Sequence, residues 1–184
     1  FENLAQGFKH GKEEFDIQRV LERLVEKGKV IVKVAYADWT RFPKYKQQLH
    51  AAAIELIEVP KRSMTGKNSA DIRLCVDAMD LCYSKPQIEP FVIVSGDSDF
   101  SPLVSKLKAN GKRVIGLGMK ESTSTLLSDN CDEFIFYESL GKTDRITPPG
   151  AREIPKEKRV IFELLFDAIA GLMRENKEIL WSSK

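Results

Sequence analysis

The chain of 184 residues is 42% hydrophobic and 30% charged, a soluble composition that suits one well-cored domain with a small appendage. Its formal net charge of +2 excludes an argument for nucleic-acid binding from overall charge, so any such argument must rest on local patches. Three cysteines lack zinc-type spacing, no apolar run nears the roughly 18 residues that span a membrane, and no charged-then-apolar leader opens the chain; the expectation is reduced core thiols in a cytoplasmic protein without a membrane segment.

In chain order, Phe1-Glu2-Asn3-Leu4 leads through Gly7 and Gly11 towards a helix and reads as the loop that follows a strand, although no strand comes before it. Phe15 to Glu26 carries apolar residues at Phe15, Ile17, Val20, Leu21, Leu24 and Val25 and stops at Lys27-Gly28, the pattern of an amphipathic helix. Val30 to Ala37 is a β-branched run and predicts a strand; Lys44 to Ala53 predicts a helix, and Ile54 to Val59 a strand ended by Pro60. A helix over Ser69 to Tyr83, a strand over Phe91 to Val94 and a helix over Pro102 to Ala109 follow, the last stopped by Asn110-Gly111. Arg113 to Gly118 is another strand, Thr123 to Asp129 a short helix and Glu133 to Tyr137 a final strand. This alternation predicts an α/β fold: a mainly parallel, doubly wound sheet flanked by helices, with its first strand missing from the sequence. That domain spans 1–140. Gly141 to Pro155, rich in Gly, Pro, Thr and charge, is a linker. Lys156 to Asn176 is then an amphipathic helix with Val160, Ile161, Leu164, Leu165, Ala168, Leu172 and Met173 on one side, so 156–184 is a fragment too short to fold as a domain.

The stretch Phe91-Val-Ile-Val-Ser-Gly-Asp-Ser-Asp-Phe100 carries the chemistry. It sets Asp97 and Asp99 in a tight loop between a buried strand and a helix for which Ser101-Pro102 reads as N-cap and first residue. Ligands bind at the carboxyl ends of strands in open α/β sheets, and alternate acids in such a turn can aim at one hard cation. Acids also serve as plain turn formers at helix starts, and for this loop alone the two readings weigh equally. A third acid shifts the balance. At about 100° per residue Asp71 falls within the apolar arc of Ile72, Leu74, Cys75, Ala78, Met79, Leu81 and Cys82, while Arg73, Asp77 and Asp80 fall on the polar side. An inward carboxylate needs a partner, and a divalent cation accounts for three converging acids more simply than three separate structural roles. Asp77 and Asp80 read as solvated-face residues.

These blocks resemble a known family, the NYN domains of the PIN-like ribonuclease group, particularly the bacterial branch related to LabA. Phe1-Glu2-Asn3-Leu4, Tyr36-Ala37-Asp38-Trp39, Lys67-Asn68-Ser69-Ala70-Asp71-Ile72, Ser95-Gly96-Asp97-Ser98-Asp99-Phe100 and Cys131-Asp132-Glu133-Phe134-Ile135 carry the resemblance, from Phe1 to about Leu140. In such proteins an aspartate stands three residues before the asparagine that Asn3 matches. That aspartate would precede Phe1, which gives the expectation of an incomplete chain; loss of one metal ligand is the alternative. Phe162-Glu163-Leu164-Leu165, Leu172-Met173-Arg174-Glu175 and Leu180-Trp181-Ser182-Ser183-Lys184 resemble the start of an OST-HTH (LOTUS) module, proposed to bind RNA.

The resemblance implies metal-dependent cleavage of RNA, single-stranded by expectation. Carboxylates with water select Mg²⁺ or Mn²⁺, here held by Asp71, Asp97 and Asp99, with in-line hydrolysis leaving a 5′-phosphate. Asn3 and Ser95 would orient a ligand or the water. Ser122 and Ser124, around Thr123, are a candidate phosphate contact whose plain alternative is helix capping. Lys61, Arg62 and Lys67 form the favoured substrate loop because it leads into Asp71; Arg41, Lys44 and Lys46 near Tyr36, Trp39 and Phe42 suit phosphate contact and base stacking. Two other classes stay in view: an inactive RNA-binding scaffold with a nuclease-like fold, and a haloacid dehalogenase-type phosphatase, which needs an early Asp-x-Asp that the stretch from Phe1 to Val34 lacks. The sequence leaves open whether the protein forms a homodimer.

Overall fold

The structure is a computed structural model that describes residues 1–7, 15–60 and 69–140 and isolated positions between 161 and 171. The linker over 141–155 and nearly all of 156–184 lie outside the described residues, as do Lys61, Arg62 and Lys67 and the side chain of Asn3. The chain divides into two compact units, Phe1–Ser139 and Leu140–Lys184. In the second, Ile161, Leu164 and Leu165 are helical and exposed.

In the first unit helices and strands alternate: α1 (Glu2–Gly7), α2 (Ile17–Val25), β1 (Val34–Ala37), α3 (Pro43–Ala51), β2 (Glu55–Glu58), α4 (Ser69–Ser84), β3 (Phe91–Val94), α5 (Ser101–Ala109), β4 (Val114–Gly118), α6 (Thr125–Asn130) and β5 (Glu133–Phe136). Among the described residues every strand pairing is parallel, with Val34 opposite Glu55, Phe91 opposite Val114 and Ile115 opposite Glu133. Parallel neighbours need a crossover, which the intervening helices supply. The architecture is therefore the expected parallel α/β type flanked by helices. Its described strands form two sheets, β1–β2 and β3–β4–β5.

The core follows from the strand composition. All five residues of β4 are buried, as befits a parallel strand covered on both faces. Gly116 is required there, because a Cβ would lie 2.3 Å from the Phe134 ring. Ala78 and Cys82 of α4, Phe91 and Ile93 of β3, and Leu103, Val104 and Leu107 of α5 pack into one cluster with Val114 and Leu127. Polar contacts hold α2 in place: the Asp16 side chain caps its first turn by accepting from Gln18 N at 2.9 Å, the Asp16 N–H donates to the Tyr137 hydroxyl at 2.8 Å, and Lys27 pairs with Glu133 at 3.1 Å.

Four local expectations are corrected. The opening residues form the short helix α1 rather than a loop. The strand expected from Val30 begins only at Val34, and Ile31 is 63% exposed. Ile72, assigned to the apolar arc of α4, is exposed: it lies about 200° around the helix from Leu74, and the core takes Leu74, Ala78, Leu81 and Cys82. Ser101 is not a cap. A 3₁₀ turn over Ser98–Phe100 precedes α5, Asp97 caps that turn, and the buried Ser101 Oγ has no hydrogen-bond partner among the described residues.

Candidate functional site

Strand β3 delivers the chain into Ser95-Gly96-Asp97 at its carboxyl end. Ser95 is buried, and its Oγ accepts the Asp97 N–H at 3.2 Å. Asp97 Oδ1 accepts the Asp99 N–H at 3.0 Å, which folds the loop into an aspartate-capped turn. This bond uses one of several lone-pair positions on the carboxylate, so Asp97 keeps acceptor capacity. Asp99 is exposed on the same turn, and Asp71 stands half-buried in the first turn of α4.

The electrostatics bring these groups together. Burial pushes the Asp71 carboxyl above its ordinary value; the Phe1 amino group opposes this, while the charges of Asp97, Asp99 and Glu2 push it further up. Four acids thus act on one locality. An all-oxygen, mutually repelling set is the donor chemistry of a hard divalent cation, and in that respect the residues fit Mg²⁺ or Mn²⁺. Among the described residues, however, no three His, Cys, Asp or Glu side chains close on one point as they would around a metal ion.

A second loop, after β4, is locked against the first. The Ser124 N–H donates to the Gly96 carbonyl at 2.9 Å. A Cβ on Gly96 would lie 2.6 Å from the Ser122 carbonyl oxygen and 2.9 Å from Thr123 Cα; one on Gly118 would lie 2.7 Å from Thr123 Oγ1. Both glycines are therefore present for close backbone approach. Thr123 Oγ1 donates to the Met119 carbonyl at 2.6 Å, and Ser124 begins α6 without a side-chain capping bond. The capping alternative for Ser124 is thus not taken, and Ser122 is exposed beside the acidic loop.

Other sequence-nominated groups stand differently. Tyr36, Trp39 and Phe42 are buried, and Trp39 Nε1 donates to the Ile57 carbonyl at 3.0 Å, so these rings are core and offer no stacking platform. The Phe1 ring packs on Trp39 and Phe42 at centroid distances of 5.1 and 5.4 Å. Arg41 pairs with Glu2 at 2.8 Å, and Lys44 Nζ lies 4.7 Å from the centre of the Tyr45 ring. Asp77, read as a solvated-face acid, accepts from the Tyr36 hydroxyl at 3.1 Å and pairs with Arg73 at 2.9 Å. Burial, reinforced by Asp77, holds the Tyr36 phenol well above its usual range. Sequence reasoning missed Glu2 as a member of the acidic locality; its place beside Asn3 in the opening block was the available signal. It also missed the two glycines.

The NYN domain family model matches residues 1–139. A curated, uncharacterized protein of Methanocaldococcus jannaschii is 29% identical over 130 residues, which is 71% of this chain and 51% of that relative; the chain thus spans about half its length. A crystal structure of a protein of unknown function from Vibrio parahaemolyticus shares the fold with a TM-score of 0.64 at 23% identity, covering 74% of this chain and 87% of that one.

Proposed function

The chain belongs to the NYN domain family, which has a nuclease-like fold, and on that premise we propose that it is a metal-dependent ribonuclease hydrolysing RNA phosphodiester bonds. The observation that carries the reading is the convergence of the Asp97 and Asp99 charges on half-buried Asp71 at the carboxyl end of β3. In this reading Asp71, Asp97 and Asp99 hold Mg²⁺ or Mn²⁺, which when bound supplies charge neutralisation at the phosphate and a more acidic attacking water. The chain's own residues do the rest. Ser95 fixes Asp97 through the backbone bond described above, and Asn3 orients a ligand or the water. Ser122 and Ser124 offer hydroxyl and N–H donors to a substrate phosphate, with Lys61, Arg62 and Lys67 as cationic contacts. The substrate is single-stranded RNA. Within the family the chain belongs to the LabA-like branch, and residues 156–184 are a fragment of an OST-HTH module, to which no role is given.

The test is cleavage of labelled single-stranded RNA by the full-length protein with Mn²⁺, Mg²⁺ or chelator, beside Asp97→Asn. Cleavage that needs the metal and disappears in the variant supports the reading. An Asp97→Asn protein that cleaves normally sinks the assignment of the loop.

One observation favours a second reading, an RNA-binding scaffold without activity: the described carboxylates do not close on a single ion. RNA retention without cleavage under any divalent ion is its signature.

A further inference from the structure

Three large apolar side chains of α4 stand in solvent: Ile72, Val76 and Tyr83 are 63%, 59% and 64% exposed. At about 100° per residue they fall within roughly 60° of one another around the helix, and Met79, only partly buried against the core, falls in the same stripe. Singly exposed residues such as Val25 and Leu126 are ordinary, whereas an apolar stripe along one helix marks a contact surface.

The charges beside the stripe say what fits it. Arg73 and Asp80 lie two turns apart and within about 20° of each other, on one flank of the stripe. Arg73 uses its Nε on Asp77, which leaves both Nη groups without a partner among the described residues. Asp80 is exposed and has no ion-pair partner among the described residues. When a two-fold axis crosses a helix pair at right angles, the helices run antiparallel and each flank meets the same flank of the partner. An axis near Val76 and Asp77 therefore sets Arg73 against the partner's Asp80, and Asp80 against the partner's Arg73. To within about one residue, or about 1.5 Å, the same register places Ile72 opposite the partner's Tyr83 and Val76 opposite the partner's Met79. A parallel pair would carry the charged flanks to opposite sides, and the charges would not meet.

We propose that α4 is the interface of a homodimer, in which it packs antiparallel on α4 of a second copy of this chain across a two-fold axis near Val76 and Asp77. The apolar stripes supply the contact, and the two Arg73–Asp80 pairs fix its direction and register. A single helix pair buries less than a standard interface, so association is weak, with a Kd on the order of 10 μM. Asp71 lies one residue before Ile72, so the two acidic localities stand about 20 Å apart, towards opposite ends of the pair. The inference concerns assembly and holds whether or not the protein cleaves RNA.

The test is sedimentation velocity of the 184-residue chain up to about 100 μM, beside Val76→Glu, Arg73→Glu, Asp80→Lys and an equal mixture of the last two, with circular dichroism as the check on folding. The wild-type chain should be dimeric at the top of this range, and Val76→Glu, which sets like charges across the axis, monomeric. Arg73→Glu and Asp80→Lys should each associate about tenfold more weakly, because each sets like charges face to face twice. Their mixture should regain association to within about twofold of wild type, because every facing pair is then opposite in charge. A wild-type chain that stays monomeric, a Val76→Glu protein that dimerises normally, charge variants that associate like wild type, or a mixture no tighter than its components would each overturn the proposal. If Arg73→Glu, which also loses the Asp77 pair, fails to fold, Val76→Glu and Asp80→Lys at exposed positions decide the question.

Discussion

The Ser124 N–H and the Gly96 carbonyl meet at 2.9 Å, and this bond ties the loop after β4 to the loop that carries Asp97. Gly96 has no room for a methyl group against the Ser122 and Thr123 backbone, which cannot swing aside as a flexible side chain would. Gly96→Ala should therefore cost about 1–3 kcal/mol in denaturant unfolding. A displaced Asp97 should also lower the proposed RNA cleavage by a factor on the order of 100. Wild-type unfolding and cleavage together would show that the two loops are not coupled.

Asp71→Asn should separate stability from activity. A carboxyl held above its ordinary value of 3.8 contributes stability that is fully present below that value and is lost as pH rises through the raised one. At neutral pH the wild-type Asp71 is therefore an unfavourable charge among Asp97, Asp99 and Glu2. Solvent screening keeps the gain from its removal to on the order of 0.5 kcal/mol, a rise of about 1–2 °C in Tm. Thermal scans from acid to neutral pH should show the variant pulling ahead as pH rises, while the metal-dependent cleavage proposed above is lost.

Trp39→Phe should damage folding and leave RNA contact alone. The substitution removes the indole hydrogen bond to the Ile57 carbonyl and thins the packing against Phe1, at a cost of about 1–2 kcal/mol. RNA affinity per folded molecule, measured well below the unfolding temperature, should not change. A selective loss of affinity would restore the stacking role that burial of the ring argues against.

Asp132 should give the opposite pH dependence to Asp71. Its Oδ2 accepts the Val114 N–H at 2.8 Å and its Oδ1 pairs with Lys108 at 3.0 Å. Those contacts, the backbone bond foremost, hold its carboxyl below the ordinary 3.8. The stabilisation is present above 3.8 and is lost as pH falls through the lowered value. Asp132→Asn should be less stable than wild type at neutral pH, with the gap closing in acid; a gap that stays constant with pH would remove charge from the explanation.

Legibility in the sequence tracked how local each determinant was. Phe91–Val94 is a strand with the predicted ends, because a continuous apolar run between turn residues leaves few alternatives. The acidic loop was legible for the same reason. Val30 to Lys33 misled because strand propensity needs a neighbour to act upon. Ile72 misled because the apolar arc of α4 is wider than the face its neighbours cover. Burial of Trp39 and Phe42 depends on a ring far away in sequence, that of Phe1. Gly96 and Gly118 are required by contact between two loops, which no single stretch of sequence displays.

The order of the strands also bears on how the chain reaches this structure. In each sheet spatial neighbours are sequence neighbours, β1 beside β2 and β3 beside β4 beside β5. The β1–β2 sheet closes only the crossover through α3, and the β3–β4–β5 sheet only those through α5 and α6; closure entropy grows slowly with loop length. Two nuclei can therefore form from separate contiguous stretches, 34–58 and 91–136. As the chain emerges from the ribosome, the first pair can assemble before the second is made, and the slow step becomes the union of the two halves.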